Sequence, residues 1–234
     1  MLISRVSARE LVWQGGQVQS LVAVPVDPYF QPDFNIKLSF KAKHYIVAAG
    51  AIGSPALLLR SKVPNPSGRL GKHTYLHPSA ISGALFEDTI AGHSGAPQSI
   101  YSDQFVWPNN GQIGFKLEVP PLHPVLMATK LTGVAQSHAA LMQQFNQLQV
   151  VIALLRDGFH PDSQGGTVLL SDNGEPVLDY PISDYLWQGV QKAYLAMAEL
   201  QFAAGAKSVL PIHQDAQLYS CLLYTSPSPR DQRG

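Results

Sequence analysis

Histidines, carboxylates and one hydroxyl in a glycine-rich turn are the side chains here that can do chemistry, and their spacing decides how much. His123, His138 and His160 do not stand at metal-ligand spacing from one another, so each reads as structural or solvated. Asp179 and Asp184 mimic an acid pair, but they flank a strand end and a helix start, where capping is the plainer role. Ser54, in "GSP", lacks the G-x-S-x-G elbow, the base and the third partner that a nucleophilic serine needs, so an α/β-hydrolase reading fails. The single cysteine, Cys221, excludes an internal disulfide framework and a cysteine-based metal site. Spacing alone names no catalytic residue.

What remains is a crossing, "HYIVAAGAIGSPALLLRS", in which an apolar run passes through small residues into a helix with hardly any loop. Ala48, Ala49, Gly50 and Ala51 present almost no side chain at the end of the run. Open α/β sheets place ligands at the carboxyl ends of strands, and bare backbone lets a flat or extended ligand lie close. The helix behind it starts with unpaired N–H groups that favour negative charge. Ser54 is expected to cap that helix, with Pro55 at its first position. A close-packed turn without a ligand is the other reading, and these residues alone favour it slightly. No G-x-G-x-x-G occurs anywhere in the chain, so a complete dinucleotide fingerprint is absent.

The residues that follow shift the balance. "VAAGAIGSPALLLRS", then "GRLGKHTYLHP", resembles the second signature region of the glucose-methanol-choline (GMC) oxidoreductases, which are flavoproteins. Gly50, Ala51, Ser54, Pro55, Leu57, Leu58 and Ser61 match its first element, and Leu70, Gly71, His77 and Pro78 its second. Lys62 and His73 depart from it, where the family has Gly and Asn. "GGTVLLSDNGEPVLDYPISD" with the helix ending in "AAGA" is similar to the family's substrate domain, and "SGAPQSIYSDQF" resembles a bacterial alcohol dehydrogenase or oxidase subgroup.

The resemblance implies FAD as cofactor and oxidation of an alcohol by hydride transfer to the flavin. It implies Val6 beside the adenine end, Ala49 and Gly50 close to the cofactor, and Ser54 nearby. The substrate is expected to be a small-molecule alcohol of apolar character; the electron acceptor stays open. The family's phosphate loop and its catalytic histidine segment have no counterpart in the match. His77 then shapes the passage between domains, and His213 in "LPIHQDA" precedes the catalytic segment. The chain is therefore expected to be a fragment, inactive by itself. The alternative is a short, non-catalytic small-molecule-binding protein derived from the same fold.

The elements that must position these residues are legible in outline. The chain has 234 residues, 45% hydrophobic and 14% charged with no net charge, enough for a real core. Neutrality gives no reason to expect nucleic acid or an anionic membrane as partner. No apolar run approaches the roughly 20 residues of a membrane helix, and the N-terminus lacks a signal-peptide core, so a cytoplasmic protein is expected. "QGGQ" predicts a hairpin turn. The run Tyr45 to Ala49 predicts a strand buried on both faces, as in a parallel sheet. A strand-rich stretch from Pro78 to Pro121 follows, then a helix passing into a strand, and a hairpin turning at "SDNGEP". A long helix then begins at Ser183 or Asp184, carries Leu186, Val190, Tyr194, Met197 and Leu200 on its apolar face, and ends near Gly205. Tyr101, Phe105 and Trp107 are expected in the core rather than in a substrate cavity.

The fold class is α/β, α+β overall. The resemblance implies that residues 1–77 form the C-terminal part of a Rossmann-like FAD-binding domain, and 78–220 an incomplete substrate domain with an antiparallel sheet and helices. The tail 221–234 is expected to be disordered or non-native. "CLLYTSPSPRDQRG" resembles a translated sequencing adapter, which would end the genuine protein near Ser220.

Overall fold

The computed structural model describes residues 2–96, 98–109, 111–131, 136–213 and 217–220. The expectations about Cys221 and the tail fall outside these residues. The elements follow in the order β1 (Val6–Gln14), β2 (Gln17–Pro25), β3 (Leu38–Phe40), α1 (Gly50–Arg60), β4 (Ser79–Leu85), β5 (Tyr101–Ser102), β6 (Phe115–Glu118), α2 (Pro124–Lys130) and α3 (Gln136–Gln143). Then come β7 (Leu148–Leu155), β8 (Thr167–Leu170), β9 (Pro176–Asp179), α4 (Asp184–Ala203), β10 (Ser208–Pro211) and β11 (Tyr219–Ser220). The class is mixed α/β, and every described strand pairing is antiparallel. Two compact units emerge: Met1–Leu76 with Gln164–Pro181, and His77–Ser163 with Ile182–Gly234.

In the first unit, β1 and β2 form the hairpin that "QGGQ" predicts. Gly15 and Gly16 have φ of 60° and 82°, the mirror-image turn whose twist matches two paired strands. β3 adds to the edge of β2, with Leu21 opposite Phe40. The predicted buried strand at Tyr45–Ala49 is not there. Those residues have no strand neighbour, and Ile46 is 91% exposed. An apolar run becomes a strand only when another strand takes up its backbone N–H and C=O groups, and no described strand lies beside this one.

Helix α1 buries Ala56 and Leu57 and is fastened to β1 at its far end. The buried Ser61 hydroxyl donates to Leu57 O at 2.6 Å and accepts from Leu11 N–H at 2.8 Å. Arg60 donates to the carbonyls of Arg9, Ala8 and Gly174. Burial lowers its pKa, and the neighbouring Arg9 guanidinium adds to that effect. The β8–β9 hairpin turns at Ser171–Glu175, as "SDNGEP" predicts, and Glu175 reaches Arg9 at 2.7 Å.

In the second unit the sheet order is β11-β10-β4-β7-β6-β5. Strand alternation gives it two buried faces. Ala80, Ser82 and Ala84 of β4 turn one way, while Leu85, Leu148, Val150 and Leu210 pack on the other with Met127 and Leu131. Helix α4 covers the first face. Its Gln201, 1% exposed, donates to Ser82 O and to Gln149 Oε1 and accepts from the Ser82 hydroxyl, so the buried amide is satisfied. Gly189 lets α4 approach so closely that a Cβ there would stand 1.8 Å from Ile113 Cγ2.

Ser183 is the cap of α4, accepting from Leu186 N–H at 3.3 Å, and Asp184 is its first residue. Asp179 ends β9, and Gly205 closes α4 at φ 97°. The buried face of α4 differs from the predicted stripe by about one position. Gln201 is inside and Leu200 is 45% exposed, because a hydrogen-bonded amide serves the sheet there better than a leucine. Tyr101 and Trp107 are not core residues: they are 59% and 73% exposed. Each gains a cation instead, Lys116 Nζ lying 4.0 Å from the Tyr101 ring centre and Arg156 Cζ 3.6 Å from that of Trp107. Phe105 stacks on the buried Phe115.

Candidate functional site

The crossing keeps its bare backbone but reaches it differently from the sequence expectation. α1 begins at Gly50, with Ala49 as its cap residue and Pro55 inside it. The Ser54 hydroxyl accepts from Ala49 N–H at 2.9 Å, so it ties the turn backwards rather than capping the helix from in front. Gly50 has φ 72°, which turns the chain sharply and suits a residue without Cβ. A Cβ built at Gly50 meets no atom within 4 Å, and Ala49, Gly50 and Ala51 are all exposed. No acidic residue stands in the first turn of α1, so nothing there offsets the partial positive charge of its free N–H groups.

These residues fit one flat edge of a group such as FAD, because the backbone is open and unshielded. They supply no phosphate cradle. Val6 stands at the start of β1, paired with Pro25, and no hydrogen bond among the described residues joins it to Ala49, Gly50 or Ser54. The four residues named from the sequence are thus a turn and a separate strand start. Beside Val6 the same unit has a cleft of about 440 Å3 over the Arg9–Glu175 pair, with Phe30 and Phe34 at its mouth.

Among the described residues no cluster of His, Cys, Asp or Glu could hold a metal ion. His138 bonds Ala128 O at 2.8 Å, and His160 stacks on Tyr185 at 4.4 Å. Burial and the nearby Asp157 and Asp162 raise the Tyr185 pKa, with Arg156 opposing them. None of the described helices is long and apolar enough to cross a membrane.

The second unit holds a larger cavity, about 640 Å3, between the N-terminal half of α4 and the ends of β4 and β10. Ile182, Leu186, Trp187, Val190 and Ile212 make its walls apolar, and Tyr194 and His213 supply polar groups. The Tyr194 and His213 rings meet edge to face at 6.1 Å. Burial raises the Tyr194 pKa, against a backbone hydrogen bond at Ile81 that lowers it. Sequence reasoning missed this place. Leu186, Val190 and Tyr194 carried a helical stripe in the sequence, and the signal that they line a space is the exposed aromatic Trp187 within that stripe.

Comparison with known proteins bears on the crossing. A family model described as GMC oxidoreductase matches residues 1–79. An uncharacterized GMC-type oxidoreductase of Sinorhizobium fredii is 25% identical over 210 residues, which is 90% of this chain and 38% of that relative. An uncharacterized GMC-type oxidoreductase of Mycobacterium tuberculosis is 28% identical over 173 residues, 74% of this chain and 26% of the relative. The chain therefore spans well under half the length of these relatives. The solved structure of pyridoxine 4-oxidase from Mesorbium loti aligns over 95% of this chain and 42% of its own, at 15% identity and a TM-score of 0.44. The family match falls on the segment that ends in "AAGAIGSPALLLRS" and "LGKHTYLHP", so residues 1–79 are similar to GMC oxidoreductases, as are the two relatives so named.

Proposed function

We propose that this chain is part of an FAD-dependent oxidoreductase that oxidises an apolar small-molecule alcohol. The observation that carries the reading is the family match over residues 1–79, which includes the open crossing at Ala49–Gly50. Residues 1–77 then belong to the FAD-binding domain and 78–220 to the substrate domain, except that Gln164–Pro181 packs with the first unit. Ala49 and Gly50 keep the backbone approachable, Ser54 holds the turn through Ala49 N–H, and Val6 borders the adenine end. When bound, FAD supplies the hydride acceptor. The base that takes the hydroxyl proton is assigned to none of the described side chains.

The test uses protein from the longest reading frame that contains this chain. It is purified, its flavin absorption recorded, and primary alcohols added without oxygen. Alcohol-dependent bleaching of the oxidised flavin band is the expected result. A flavin-free protein, or flavin that no alcohol reduces, overturns the reading. The 234-residue chain purified alone is expected to hold no stoichiometric flavin, because it contains no G-x-G-x-x-G.

A further inference from the structure

The cavity beside α4 is built like a small-molecule site. Its volume, about 640 Å3, lies within the range of roughly 300–1,000 Å3 typical of ligand pockets. The walls come from three elements: Ala80 from β4, Ile212 just beyond β10, and Leu186, Trp187 and Val190 from α4. Ala80 and Leu186 are 3% and 2% exposed, so the floor is fixed by the core, while Trp187 and Ile182, at 55% and 51%, form an apolar lip. Exposed apolar side chains grouped at the mouth of an apolar space mark a binding surface more often than scattered ones do.

The polar lining consists of Ser79, Gln191, Tyr194 and His213. Tyr194, half-buried, follows Val190 by one helical turn, and its ring meets His213. A phenol hydroxyl can donate one bond and accept two, so the backbone hydrogen bond at Ile81 leaves it capacity for another. Gln191 adds an amide at the rim. A ligand that matches this lining has an aliphatic body and one hydrogen-bonding end.

We propose that this cavity binds a medium-length aliphatic molecule, its chain against Ile182, Leu186, Trp187 and Val190 and its polar end at Tyr194. The choice of an alcohol as that molecule rests on the oxidoreductase reading; the cavity itself needs no flavin. Among the described residues no Lys, Arg, Asp or Glu lines the space, so the lining favours an uncharged ligand.

The probe is 1-octanol, added to the 234-residue chain with Trp13 and Trp107 replaced by Phe, so that Trp187 is the sole indole reporter. A saturable change in Trp187 emission is expected. Tyr194→Phe should weaken 1-octanol binding about three- to tenfold, the worth of one hydrogen bond, and leave hexane binding unchanged. Val190→Phe should weaken binding of both by narrowing the space, and it adds no second indole. Nuclear Overhauser contacts between octanol and the Ile182 and Ile212 methyl groups check the same site without any substitution in the cavity. No saturable change, absent contacts, or a Val190→Phe protein that binds as tightly as before overturns the inference. Flavin reduction and Trp187 emission are read on different proteins, so failure of one leaves the other standing.

Discussion

Ser61 fastens the helix of the first unit to its strand with one hydroxyl. It donates to Leu57 O and accepts from Leu11 N–H, both inside the protein. Ser61→Ala leaves a buried backbone N–H unpaired, so it should cost about 1–3 kcal/mol, read as a lower urea midpoint. Gly189 shows the opposite constraint, a side chain that must be absent. Alanine in a helix is favoured over glycine by about 1 kcal/mol, but the added Cβ would meet Ile113, itself only 3% exposed. Overpacking of a fixed neighbour should win, so Gly189→Ala is expected to lose about 1–3 kcal/mol in the same measurement. Tyr194 adds a pH dependence. Its pKa is raised in the folded protein, so the unfolded chain loses the proton first as pH rises. The stability it contributes is whole below the ordinary tyrosine value of 10.0 and falls above it. Tyr194→Phe should flatten the decline in melting temperature between neutral and strongly alkaline pH; an unchanged slope would place the titration elsewhere.

At the scale of elements, local signals account for what the sequence made legible. The Gly15–Gly16 turn, the "SDNGEP" turn and the Ser183 cap are all specified by neighbours a few residues away, and all form as read. Ser183→Ala should therefore cost about 1 kcal/mol, seen as fraying of α4 in hydrogen exchange at its first turn. Gly50 is similar in kind: its φ of 72° is disfavoured for alanine by about 1–2 kcal/mol, and no atom crowds a Cβ there. Gly50→Ala should lower the melting temperature through backbone strain alone. The misreadings have a different origin. Tyr45–Ala49 has the composition of a buried strand, but composition cannot provide the neighbouring strand. Tyr101 and Trp107 have the composition of core, but Lys116 and Arg156, distant in sequence, hold their rings at the surface. At the crossing only the turn at Gly50 was legible, because it acts on its own backbone; Pro55 lies inside α1 and Ser54 bonds back to Ala49 rather than capping the helix. The cavity around Trp187 and Tyr194 was not, because it exists only where β4, β10 and α4 meet.

On the scale of the molecule, chain order and compact units disagree, and that has a testable consequence. Gln164–Pro181 is inserted in sequence between two parts of the second unit, yet it belongs to the first. The attachment is specific. Thr74 and Gly166 exchange backbone hydrogen bonds at 3.0 and 2.7 Å, Val168 N–H reaches Gly71 O at 2.7 Å, and Glu175 and Gly174 hold Arg9 and Arg60. Gly71 is needed for that approach, since a Cβ there would stand 2.6 Å from Val168 O. The first unit is thus completed by residues made long after its own sheet, and its stability depends on them. Replacing Gln164–Pro181 with a flexible Gly-Ser linker should strip hydrogen-exchange protection from the amides of α1 and β1. It also leaves the Arg60 guanidinium with one carbonyl fewer and Arg9 without its carboxylate partner. The amides of β4 and β7, paired along seven residues from Ser79↔Leu154 to Leu85↔Leu148, should keep their protection, because no bond of theirs runs to the hairpin. Equal loss in both sets would show that the two units unfold as a single cooperative body. Loss confined to α1 and β1 would show that each unit carries its own stability.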